Sequence, residues 1–242
     1  MSGGLWVWNE SLLALTVVLS FLFVLVGGKT LDWLVSAFGA RAFFFLLVSP
    51  GVVLHEVAHA VMGLVLGVPI SRVTLFWPRK EGDRYVLGSV THAQSDTLSG
   101  FLLAIAPFFV GVVASSLLLF FLVLGGSGSP YSWRNWTEAL GPGKLVANLA
   151  SWKFYLGWYL LFCVSVTAAP SEVDLEGWWK GFALFFFLVL QPLCLFGGRV
   201  FGGVLLAFVL SLALTFAINQ VVLFIGKWGF QGAKALRGRW RS

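Results

Sequence analysis

The chain carries too little charge for a surface that faces water. Only 11% of its 242 residues are Asp, Glu, Lys or Arg, against 59% hydrophobic and 17% aromatic. A soluble domain has roughly a quarter of its residues charged. A mean hydropathy of +0.91 leaves too few polar groups to cover a globule. A soluble enzyme, a disordered regulator and a secreted disulfide scaffold are thereby excluded. Cysteine is equally scarce. Cys163 and Cys194 both lie inside long apolar stretches, where they act as small hydrophobes and supply neither a disulfide framework nor a thiolate metal site. Acidic residues are outnumbered 10 to 16 by Lys and Arg, giving a net charge of +6. In a soluble chain that excess would suggest nucleic acid. Here the basic residues fall mostly in loops and tail, where they set membrane orientation, so the expected partner is the lipid bilayer and no nucleic acid.

What the chain has in abundance is apolar runs of the length that crosses a bilayer, about 20 residues. They fall at 11–26, 42–66, 98–124, 145–167, 178–196 and 200–225. This predicts an all-α polytopic membrane protein, a single domain over 1–242 with about six transmembrane helices. The last two runs are separated only by Gly197-Gly198-Arg199, so five spans with a re-entrant pair is the alternative reading. No basic stretch precedes the first run, which is expected as a retained span starting from Met1 and not as a cleaved signal peptide. With six spans, one face holds Arg72, Arg79, Lys80, Arg84, Lys227, Lys234, Arg237, Arg239 and Arg241, and the other holds Lys29, Arg41, Arg134, Lys144 and Arg199. Nine against five puts both termini in the cytoplasm. The basic, aromatic tail at 227–242 also suits anionic headgroups, although topology control is the preferred reading.

Two loops are long enough to have structure. The insert at 70–91, from Ile70 to Thr91, alternates, turns through Pro78-Arg79-Lys80-Glu81-Gly82-Asp83, and alternates again, which predicts a β-hairpin beside the membrane after the second span. The loop between the third and fourth spans, Gly125 to Gly143, is rich in Gly and Ser and then carries Tyr131-Ser132-Trp133-Arg134-Asn135-Trp136, the composition of an interfacial aromatic girdle.

One pentapeptide carries chemistry: His55-Glu56-Val57-Ala58-His59, within the second run. On a helix the two histidines lie one turn apart on one face, so both imidazoles can reach a single ion while Glu56 stands near the water on it. Zinc held by two imidazoles and a carboxylate keeps a fourth position for water and lowers its pKa toward roughly 7, and Glu56 would act as the base. The bland reading, polar contacts between helices, meets a cost of about 2.5 kcal/mol or more for a charged residue in hydrocarbon.

A third ligand must come from elsewhere. Asp32 and Asp96 flank spans, while Glu172, Asp174 and Glu176 cluster after the fourth run. If the second span enters at Ala42, His55 lies about 20 Å along it. The fourth span runs the same way and delivers 168–176 to that depth. Asp174 is the expected ligand, with Glu172, Glu176 and His92 as alternates; Ser171-Glu172-Val173-Asp174 also fits a helix N-cap with an acid three residues on. His92, in the insert, is either a hydrogen-bond donor to the oxyanion or a solvated loop histidine.

At these residues the chain resembles the site-2 protease family of intramembrane zinc metalloproteases, over a core at 42–177. The likeness rests on HExxH in an early span, a hairpin-like insert after it, and Pro170 followed four residues later by Asp174. It implies a Zn2+ ion on His55, His59 and Asp174, Glu56 as the catalytic base, and a membrane-protein substrate cut in or beside its transmembrane segment. The chain departs from the family pattern in three places: Thr167 stands near the usual Asn, Leu175 follows Asp174 in place of Gly, and Ala106-Pro107-Phe108 only loosely matches the Gly-Pro-x-x-Asn stretch. An unwound substrate would need its backbone held, and the insert could do so by strand addition or serve only as a cap. The competing function is a non-proteolytic membrane metal-binding regulator or transporter, against which a base between the two ligands argues. A prenyl-peptide protease would need a further glutamate motif that has no counterpart here.

Overall fold

The computed structural model describes residues 11–20, 42–82, 84–93, 95–130, 132–169 and 207–221, with single positions 22, 30, 34, 181, 204, 205 and 224. Helix α1 is Ser11–Ser20, α2 is Ala42–Val65, α3 is Thr97–Leu117 and continues as one π-helical stretch to Val123. Two short helices follow, α4 (Trp133–Ala139) and α5 (Pro142–Asn148), then α6 (Trp152–Thr167) and α7 (Ala207–Val221). Among the described residues two helices, Phe44–Val65 and Thr97–Val123, are long and apolar enough to cross a membrane, and a third span is counted if α5 and α6 form one bent pair. The second and third expected spans are thus helices, while the fifth, apart from Gly181, lies outside the described residues.

The fourth expected span is not continuous. α5 and α6 meet at 94°. Ser151 accepts a hydrogen bond from the Lys153 N–H and starts α6 afresh, while Asn148 donates to the Val123 carbonyl. The 16 residues of α6 cover ~24 Å, short of a ~30 Å hydrocarbon core. The aromatic loop also differs from expectation. Trp136 is 1% exposed, packs on Phe120 and donates its indole N–H to the Pro130 carbonyl, so it pins the loop as a core residue and is no girdle member.

The insert is one hairpin broken into two ladders. β1 (Ile70–Thr74) pairs antiparallel with β4 (Ser89–His92), and β2 (Arg79–Glu81) with β3 (Arg84–Val86) around a tight turn in which Gly82 has φ 60. Between the ladders Leu75 to Pro78 face only Leu87 and Gly88, so pairing lapses there except for the Trp77 N–H to Leu87 carbonyl bond (2.7 Å). The insert also does not project from the end of α2. A left-handed Gly67 closes that helix, with Val68 N–H bonding the Gly63 carbonyl and Gly67 N–H that of Leu64. The chain then turns back. Ile70 packs on Gly63, Gly88 on Glu56, Leu87 among Val52 and Val48, and the Tyr85 ring lies 5.5 Å from Phe45. From Gly63 to Phe45 is roughly 27 Å of helix. Arg79, Lys80 and Arg84 therefore flank a tip beside the first turns of α2, away from the helix end with which the charge count had grouped them.

α3 opens on a made-to-measure cap. Asp96 accepts from the N–H groups of Leu98 (2.9 Å) and Ser99 (3.0 Å) and from the Ser99 hydroxyl (2.6 Å). That hydroxyl bond, then the Ser99 amide, holds its carboxyl below the ordinary value. A folded pKa below the unfolded one adds stability that is complete above the unfolded pKa and lost as pH falls through the folded one. Asp96→Ala is accordingly expected to lower the thermal midpoint at neutral pH, with the gap to wild type closing as the pH drops below about 4. Melting curves of both proteins across that range check it.

Candidate metal centre

α2 and α6 run parallel in a close register. Pro50 lacks an N–H and opens the turn of α2 before it; the Leu46 carbonyl accepts from Ser49, and the Leu47 carbonyl accepts from the Tyr159 hydroxyl (3.0 Å) and the Cys163 thiol (3.2 Å) of α6. One turn on, a Cβ at Gly51 would collide with the Cys163 carbonyl and the Thr167 hydroxyl. One further turn on, the His55 Nδ1–H donates to the Thr167 carbonyl at 2.6 Å. Positions 47, 51 and 55 thus face 159, 163 and 167, each set spaced four residues apart along one helix face. The third neighbour closes in as tightly, since Gly111 of α3 meets the Ala168 methyl.

Both histidines are oriented by carbonyls that their own helices cannot use. Thr167 is the last residue of α6, where carbonyls lack intrahelical donors. The His59 Nδ1–H donates to the Leu103 carbonyl at 3.0 Å. Leu103 lies four residues before Pro107, whose missing N–H leaves that carbonyl without its helical partner. An acceptor on Nδ1 fixes the neutral tautomer with the lone pair on Nε2, the form in which histidine binds a metal, and a backbone carbonyl behind the ring is the usual support for a ligand. The two rings are 5.0 Å apart and edge-on at 71°. Imidazoles bound to one tetrahedral zinc through nitrogens at ~2.0–2.1 Å have ring centres roughly 5 Å apart, so the pair fits.

Glu56 and His59 are buried, 7% and 8% exposed, while His55 is partly buried. Glu56 lies against Gly88 of the insert: a Cβ there would come within 2.6 Å of Glu56 Cγ and 2.9 Å of Oε1. His92 ends β4, exposed, with Nδ1–H donating to the Ala93 carbonyl at 2.8 Å. Asp96 is the α3 cap. Asp174, Glu172 and Glu176 lie outside the described residues, as does Asp32; among the described residues no three His, Cys, Asp or Glu side chains gather into a metal-holding group.

Three contributors to the site escaped the sequence reading. The role of Pro107 was legible in principle, because a proline inside a helix always frees the carbonyl four residues back. Thr167 and Gly88 had no such local mark, since their roles depend on contacts across 112 residues and on the path of the insert. Of the glycines near the pentapeptide, only Gly51 serves helix packing; Gly63 makes room for Ile70, and Gly67 terminates the helix. No protein-family model, no curated protein and no solved structure matches this chain.

Proposed function

We propose that this chain is an intramembrane zinc endopeptidase that cuts a transmembrane or juxtamembrane segment of another membrane protein. The observation that carries the reading is the pair of imidazoles one turn apart, each with Nδ1–H on a backbone carbonyl, beside a buried glutamate. Polar contacts between helices need neither a matched tautomer nor a glutamate between the two histidines in the sequence. His55 and His59 would hold the ion, with Asp174 as the third ligand and Glu172 or Glu176 as alternates. In support, the Thr167 carbonyl accepts from His55, and Asp174 follows Thr167 by seven residues in the sequence. Bound zinc supplies Lewis acidity toward the scissile carbonyl and makes water a stronger acid. Glu56 takes the proton from the attacking water and returns it to the leaving nitrogen. The apolar runs fit a membrane setting: with six spans both termini would share one face, and the basic tail residues Lys227, Lys234, Arg237, Arg239 and Arg241 alone would then favour the cytoplasm for it.

The test is metal content together with cleavage of a transmembrane model substrate by the purified full chain. One equivalent of zinc and substrate cleavage are expected. Asp174→Ala should bring zinc well below one equivalent; if Asp174 is only a helix cap, zinc stays at one equivalent and only about 1 kcal/mol of stability is lost. A second variant probes the support of His59. Pro107→Ala returns an N–H to α3 that competes for the Leu103 carbonyl, so zinc affinity is expected to fall roughly ten- to a hundredfold while the helix itself becomes more stable. Titration against a chelator of known affinity measures the first effect and thermal unfolding the second.

A further inference from the structure

We infer that the insert is the movable wall of this site, a lid that must lift Leu87 and Gly88 off Glu56 before an extended backbone can enter. Among the described residues, three elements close the site, one side each. α6 closes one through the Thr167 carbonyl on His55, and α3 closes another through the Leu103 carbonyl on His59. Opening either seam would release the bond that orients a histidine. The insert closes the third side, and nothing in that contact orients an imidazole: Gly88 rests on the Glu56 side chain, and Leu87 is buried among Val48, Val52 and Val166.

Spacing makes closure exclusive. A strand needs ~4.8 Å from its neighbour, whereas the Cβ position of Gly88 is 2.6 Å from Glu56 Cγ and 2.9 Å from its carboxyl carbon. No peptide backbone passes between them as they stand. The hairpin is also weakest at this level, because the two ladders stop on either side and the single Trp77 to Leu87 hydrogen bond spans the gap. The outer ladder can keep its register while 87–88 swings away. Closure is a property of the packing and stands without the peptidase reading; its meaning as control of substrate entry rests on that reading.

The test uses the full-length chain with Cys163→Ala, Cys194→Ala and Glu56→Cys, so that one thiol reports access to the site whether or not the protein hydrolyses anything. Maleimide labelling of this thiol is expected to be slow and to accelerate at least tenfold when Leu87→Ala removes the anchor of the lid. A companion thiol, Ala106→Cys in fully buried α3 packing, should not accelerate. Equal labelling at position 56 with and without Leu87→Ala overturns the proposal, and so does an equal acceleration at 106, which would mean general loosening. Should the lid behave as described while the wild-type chain binds no zinc, the hydrolase reading fails and the lid stands.

Discussion

Glu56→Gln is expected to lower cleavage of a transmembrane substrate by about 10²–10⁴-fold while zinc content stays at one equivalent. The amide has the size and shape of the carboxylate, so the tight seat against Gly88 and the burial of the side chain are preserved. It has lost only the capacity to take a proton. Neither histidine depends on Glu56 for its orientation, since their Nδ1–H groups donate to Thr167 and Leu103. Metal retention and loss of rate should therefore separate cleanly. Zinc bound by both forms with cleavage by neither would instead favour a metal-binding regulator or transporter. Zinc lost along with the carboxylate would make Glu56 a ligand and remove it as the base.

The other large effect is expected from a single methyl group one helical turn before His55. Gly51→Ala places a Cβ into the Cys163 carbonyl and the Thr167 hydroxyl, and a backbone carbonyl cannot swing aside as a long side chain can. Overpacking of this kind costs about 1–3 kcal/mol, against which the helix preference of Ala over Gly returns only about 1. The separation of α2 from α6 also withdraws the Thr167 carbonyl from His55, so zinc affinity should drop by roughly ten- to a hundredfold. Gly143→Ala in α5, where the added methyl meets nothing within 4 Å, is the matched control and should leave zinc affinity unchanged while stability holds or rises by up to about 1 kcal/mol. Thermal unfolding and chelator competition on the three proteins provide the comparison. Reduced stability with unaltered zinc affinity would show that the Thr167 bond does not support the ligand.

The insert shows where local reading fails and why. Its strands were visible as alternation around a turn, because side-chain period and turn chemistry are local properties. Its direction was not, since nothing in Pro78 to Asp83 encodes a Tyr85 ring resting on Phe45 near the start of α2. The charge count inherited that gap: Arg79, Lys80 and Arg84 were assigned by loop membership to the side where α2 ends, yet the hairpin carries them back along it. The fourth span is bent for a different reason. Hydropathy ran unbroken through 145–167, but Asn148 and Ser151 spend their polar groups on a tertiary contact and a new helix cap, and a window of averaged hydropathy does not register either bond.

Composition and spacing were enough to declare an apolar, membrane-seeking chain with two histidines and a glutamate on one helix face, because hydrophobic length and a four-residue interval are written along the chain itself. They could not show what stands behind each ring. The acceptors for His55 and His59 lie 112 and 44 residues away, on carbonyls released by a helix end and by Pro107, and they come into reach only when α2, α6 and α3 pack at glycine distance. Whether an imidazole presents a lone pair or a proton is decided by the partner on its other nitrogen, and that partner exists only in the folded chain.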